Sequence, residues 1–81
     1  MIDTLDNLPL GESATVIANN VKGENKKLLI NLGLSNKNRI SSLYKSPLGD
    51  PVAYMIKNVI IAIRKEDSKN IIIMRDKNGI N

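Results

Sequence analysis

The sequence predicts a mainly β fold: a small barrel of about five short strands with one short inserted α-helix. Three observations predict it. Short apolar runs recur along the chain between Gly, Pro, Asn and Ser punctuation. One stretch alone, residues 22–31, switches to a helical period. Residues 52–64 then read as a hairpin, with a two-residue turn at Lys57-Asn58. With 81 residues, the chain has room for one domain, residues 1–75, and a polar C-terminal tail over 76–81. Closing such a sheet into a barrel would remove the exposed edges that a small β domain must protect.

The elements follow in order. Residues 1–11 are an ordered lead-in: Leu5, Leu8 and Leu10 pack on the core, and Pro9 with Gly11 makes a turn. Residues 12–19 form a first strand with Ala14 and Val16 inward and Thr15 outward; Ile17 breaks the alternation and marks a bulge. In residues 22–31, Lys26 and Lys27 take one side of a helix, and Leu28, Leu29 and Leu32, with Ile30 near them, take the other. Gly33 supplies the left-handed stop, and Leu34 closes back as its apolar contact. Residues 35–38 are a polar turn. Residues 39–45 are a second strand, with Ile40, Ser42 and Tyr44 on one face and Ser41, Leu43 and Lys45 on the other. The stretch from Leu32 to Pro51 is about backbone shape, since Pro47 and Pro51 stiffen a long turn and Gly49 allows it an unusual backbone angle. In the hairpin, the Lys57-Asn58 turn sets Ile56 against Val59, Tyr54 against Ile61 and Val52 against Ile63, giving one continuous apolar face. The opposite face pairs Met55 with Ile60 and Ala53 with Ala62. Residues 66–70 make a helical turn with its acids early, as the helix dipole prefers, and residues 71–74 are a last short strand.

Composition removes several classes of function. There is no Cys, which excludes a disulfide scaffold and a thiolate metal site. There is no His, which removes the commonest general base and the commonest transition-metal ligand. The acids are scattered from Asp3 to Asp76 without EF-hand spacing, so neither a metal site nor a cofactor site is expected. No nucleophile–base pair, paired carboxylates or phosphate loop is present, and no catalytic residue is assigned. The longest apolar runs, 59–63 and 71–74, fall far short of the ~20 residues that span a bilayer. The acidic N-terminus lacks the pattern of a signal peptide, so a cytoplasmic protein is expected. The net charge of +4, from 12 basic and 8 acidic residues, suits either an acidic partner or simple solubility.

What remains is a chain built for docking. Leu48 projects as an apolar knob from the turn containing Gly49 and Asp50, where the alternative is a turn that only fixes the entry of the hairpin. Ala53, Met55 and Ile60, with Ala62, form an apolar patch on the outer face of the hairpin. The alternative is that the N-terminal segment or the short helical turn covers that patch. Leu48, Gly49, Asp50, Ala53, Met55 and Ile60 are therefore the candidate partner-binding residues.

Four segments, in order and at these spacings, resemble the FeoA family of bacterial ferrous iron uptake: L-P-L-G-E at 8–12, L-L-I-N-L-G-L at 28–34, S-P-L-G-D-P at 46–51 and I-A-I-R at 61–64. The resemblance covers about residues 5–74. It implies an SH3-like barrel with a helix inserted after the first strand, similar to the C-terminal domain of iron-dependent repressors. It also implies a non-enzymatic accessory role, docking on the membrane transporter FeoB and its cytoplasmic GTPase region. The chain departs from the family pattern in the turn after L-G-L, where it has Ser35 and Asn36-Lys37, and on the outer hairpin face, where Ala53, Met55 and Ile60 stand at positions often charged in relatives. Two other readings compete. A small basic barrel can bind single-stranded nucleic acid, although two tyrosines make a sparse stacking platform. A detached regulatory domain is the other, but no DNA-reading helix precedes the barrel.

Overall fold

The hairpin shows most directly how this sequence folds. In the computed structural model, which describes residues 1–76, Lys57 and Asn58 both take positive φ, at 49° and 66°. This is the pair of angles that a two-residue turn needs to match the twist of its strands. The flanking strands pair in the expected register: Ile56 with Val59, Tyr54 with Ile61 and Val52 with Ile63. They are two of six strands. In chain order the elements are β1 (Ile2–Thr4), a 3-10 turn (Leu5–Asn7), β2 (Ser13–Asn19), α1 (Glu24–Asn31), β3 (Arg39–Lys45), β4 (Val52–Ile56), β5 (Val59–Ile63), α2 (Lys65–Ser68) and β6 (Ile71–Arg75). The strands form one antiparallel sheet in the order β1-β6-β2-β3-β4-β5.

The sheet curls around a single aliphatic core. Leu5, Val16, Leu34, Ile40, Ile71 and Ile73 are fully buried there, with Tyr54 and Ile56 among them. Each such side chain contributes roughly 1.5–3 kcal/mol by leaving water, which is how a chain without Phe or Trp holds together. The mainly β, SH3-like barrel expected from the sequence is the fold found. Ala14 and Val16 face inward, and the β2–β6 register shifts between Val16 and Ala18, placing the bulge at Ile17.

Helix α1 ends as the sequence requires. Gly33 takes φ +113°, its N–H donates to the Ile30 carbonyl at 3.0 Å, and the Leu34 N–H reaches back to Leu29 at 2.9 Å. That pair of bonds is the Schellman motif. A methyl group on Gly33 would run into the side chain of Ile56, so the helix end sits directly against the hairpin tip. At its other end, the Asn25 amide donates to Asp67 Oδ2 at 3.2 Å, so α1 runs from α2 to the hairpin tip and buries Leu29.

Several expectations are corrected. The lead-in holds a sixth strand, β1, short enough at three residues to escape a pattern search. Leu10 is exposed rather than packed, because the Pro9–Gly11 turn carries it outward. Leu28 and Ile30 are exposed too; so short a helix, docked on a curved surface, buries one row rather than a wide stripe. Tyr44 leaves the face of Ile40 and Ser42 because β3 bulges, Ser42 pairing with Tyr54 but Tyr44 with Ala53. Val59 is exposed at the hairpin tip. The hydrogen-bonded ladder does not close: β1 and β5 stand at its two ends, among the described residues. The turn after Gly33, which departs from the family pattern, takes a positive φ at Lys37. The polar tail expected over 76–81 lies, past Asp76, outside the described residues.

Candidate functional site

The turn joining β3 to β4 is held by its own backbone. The Ser46 N–H donates to the Pro51 carbonyl at 3.0 Å, and the Gly49 N–H to the Ser46 carbonyl at 2.8 Å. Ser46 Oγ donates to the Asp50 carbonyl at 2.7 Å. Gly49 has φ +91° with open space around it. The Asp50 carboxylate accepts the Lys65 N–H at 2.8 Å, satisfying a backbone donor that the first turn of α2 would otherwise leave unpaired. Asp50 is thus committed to fastening the turn onto α2. At the tip of this pinned turn Leu48 is 95% exposed, standing in water as an apolar knob.

Beside the turn lies a cleft of about 410 Å³. The lead-in supplies one wall with Leu8 and Leu10, the turn supplies Gly49 and Asp50, and Tyr54 and Ser68 line it as well. Burial pushes the Tyr54 hydroxyl up to about 12, with the charges of Asp6 and Asp50 adding and the hydrogen bond to Ser68 partly offsetting. Tyr54 therefore stays neutral at any physiological pH.

The outer face of the sheet adjoins the turn. Register sets Tyr44, Ala53 and Ala62 in one row and Ser41, Met55 and Ile60 in the next. Ile60 is 53% and Tyr44 58% exposed, and Ala62 is exposed. Met55 is half-buried and Ala53 buried, the latter shadowed by its larger neighbours. Neither the lead-in nor α2 hides Ile60. Of the six residues singled out from the sequence, Leu48 and Ile60 present apolar surface, Gly49 shapes the turn, Asp50 caps α2, and Ala53 and Met55 underlie the patch. Tyr44 and Leu10 were missed as surface residues. The position of Leu10 between Pro9 and Gly11 in a turn was a usable signal, whereas the β3 bulge that exposes Tyr44 left none.

Charges are unevenly distributed. Arg75 binds Asp3 at 3.4 Å and Glu12 at 3.1 Å, and Arg39 and Asp76 form a two-bond pair at 2.6 and 2.7 Å. Asp3 is held below the usual carboxylate range by the Asn7 amide, the Thr4 N–H and Arg75. Asp76 is lowered and Arg39 raised by their mutual hydrogen bonds. Around the hairpin, by contrast, Lys45, Lys57, Arg64 and Lys65 form no ion pair among the described residues. Among those residues no three acids gather into a metal-binding group, and no helix is long and apolar enough to cross a membrane.

Comparison with known proteins gives a consistent picture. The FeoA domain model matches residues 4–75. The chain is similar to iron(II) transport protein A from Clostridium thermocellum, with a TM-score of 0.82 and 29% identity over 89% of this chain, although it spans only 44% of that one. It is similar to the zinc-complexed FeoA of Stenotrophomonas maltophilia, a prokaryotic SH3 domain protein, with a TM-score of 0.72 and 26% identity over 90% of this chain and 88% of that one. IdeR of T. acidophilum shares the fold alone, at 16% identity and a TM-score of 0.78 over 93% of this chain and 34% of that one. No curated protein matches the sequence.

Proposed function

Since the chain belongs to the FeoA family, which is associated with ferrous iron transport, we propose that it is a non-enzymatic accessory protein that docks on a FeoB-type transporter and its cytoplasmic GTPase region. The observation that carries this reading is Leu48, 95% exposed on a turn fastened by four hydrogen bonds. A large apolar side chain held in water on a pre-ordered turn gives up its hydration on contact and loses little conformational freedom, which favours association. Gly49 and Asp50 hold that knob in place, and Ala53, Met55 and Ile60 extend the contact along the outer sheet face. The barrel would act by binding one conformation of the transporter's cytoplasmic portion more tightly than another, which is the only way a docked protein shifts a partner's equilibrium. Iron enters as the transporter's cargo, and GTP hydrolysis belongs to the partner. The protein would then work in the cytoplasm, at the inner membrane through its partner.

Exposed Tyr44 beside Lys45 lends something to the alternative of single-strand nucleic-acid binding. With Tyr54 buried, however, a single aromatic platform remains where successive bases each need one.

The test is a titration of wild type and Leu48→Ala against detergent-solubilised FeoB. Affinity should fall about tenfold for the variant, a typical cost for an apolar anchor, while the melting temperature stays unchanged because Leu48 touches little of its own fold. Equal affinities would remove Leu48 from the dock.

A further inference from the structure

The two ends of the sheet are not alike. β1 is three residues long and carries Asp3, a charge at the edge of the kind that discourages further pairing. β5 is V-I-I-A-I, five residues without a charge, a proline or a bulge. Four of the five are at least partly exposed, on both faces of the strand.

The hairpin fixes which of its backbone groups are spare. Beside a two-residue turn the first pair, Ile56 and Val59, is hydrogen-bonded, and bonded pairs then alternate along the ladder. Val59, Ile61 and Ile63 therefore bond to β4, and the N–H and C=O groups of Ile60 and Ala62 point away from it. No other backbone group among the described residues takes them up. Helix α1 does not close the gap. Between it and the end of β5 lies a groove of about 290 Å³, lined by Asn25, Leu28 and Leu29 on one side and Ala62, Ile63 and Arg64 on the other. Leu28, 56% exposed, forms an apolar ledge along it.

The charges around this edge select the occupant. An antiparallel strand laid on β5 would meet Lys57 at one end and Arg64 and Lys65 at the other, all exposed and without an ion-pair partner among the described residues. Glu66 and Asp67 lie beyond the strand at the groove's far end, and Asp67 is already held by Asn25. A second copy of this chain, centred on Ile61, would set Lys57 against Lys65 of its partner at both ends of the pair, which is repulsive, and would offer Arg64 only the neutral Asn58. We infer that β5 is an acceptor edge for an extended segment of the partner, apolar at its centre and acidic at both ends, which adds to the sheet through the peptide groups of Ile60 and Ala62 and packs on Leu28. Main-chain bonds would supply affinity and the flanking cations specificity. This deepens the docking reading above and rests on it for the identity of the partner.

Amide hydrogen exchange, read residue by residue, tests it. In the free protein the Ile60 and Ala62 amides should exchange at least tenfold faster than those of Val59 and Ile61. Two probes are then added separately: the cytoplasmic portion of FeoB, and the synthetic peptide Glu-Thr-Val-Thr-Val-Thr-Glu with a Lys-ended counterpart. The expected result is at least tenfold slowing at Ile60 and Ala62 with FeoB and with the acidic peptide but not the basic one, abolished by Ala62→Pro. That variant removes an outward N–H, the kind of site where an edge strand tolerates proline. Should it fail to fold, the wild-type exchange pattern still decides. FeoB binding that leaves both amides fast would overturn the edge inference while docking stands. Protection by the acidic peptide without FeoB binding would support the edge and sink the docking reading. Protection that grows with the protein's own concentration would overturn the choice of partner in favour of a second copy.

Discussion

At the scale of single residues, Tyr54 shows how the core and the cleft are coupled. It is 2% exposed, yet it lines the cleft beside the turn, and burial raises its hydroxyl from the ordinary value of 10.0 to about 12. A folded state that holds a proton more tightly than the unfolded chain has its full stability below the unfolded value and loses it as pH rises through the folded one. Wild type should therefore lose stability between pH 10 and about 12 more steeply than Tyr54→Phe, as read from urea unfolding at each pH. Parallel curves for the two proteins would contradict this. The inward position of Tyr54 was legible in the sequence because it alternates with Val52 and Ile56. The exposure of Tyr44 was not, because a one-residue bulge in β3 flips its face and leaves no trace in residue type.

At the scale of elements, α1 and the hairpin meet at Gly33, where two constraints coincide. Its φ of +113° suits only glycine, and its missing side chain makes room for Ile56. Gly33→Ala should destabilise the fold by about 2 kcal/mol or more, strain and overpacking adding. Gly49→Ala, at φ +91° but with open space around it, should cost only the conformational part, about 1 kcal/mol. Equal losses in thermal melts of the two variants would remove the contact with Ile56 from the account. The helix stop and the hairpin register were readable because local signals and apolar pattern agree there. Strand β1 was hidden by its length, since I-D-T has too few residues for a period and pairs only because β6 is already in place. The burial pattern of α1 was over-read for a related reason: which row of an amphipathic helix is buried depends on the curvature of the surface it meets. Of the candidate site, the knob at Leu48 and the exposed Ile60 were legible from turn chemistry and alternation. The capping of α2 by Asp50 was not, because it joins residues fifteen apart through a backbone donor.

At the scale of the whole molecule, the arrangement divides labour between two sides. On the lead-in side, Arg75 ties β6 to Asp3 and Glu12, and Arg39 of β3 pairs with Asp76 just past β6. The hairpin side keeps its apolar surface exposed and its cations without ion pairs among the described residues, with Leu48 at one end, Ile60 and Tyr44 on the outer face, and β5 at the edge. A side that is pre-ordered and apolar, with positive charge at its rim, is suited to a partner whose complementary surface is acidic and apolar. The measurement that tests this most directly is a calorimetric titration of the protein into the cytoplasmic portion of FeoB, loaded in turn with GDP and with a non-hydrolysable GTP analogue. Saturable binding, tighter in one nucleotide state than in the other, is the predicted result. Absence of binding in both states would contradict it.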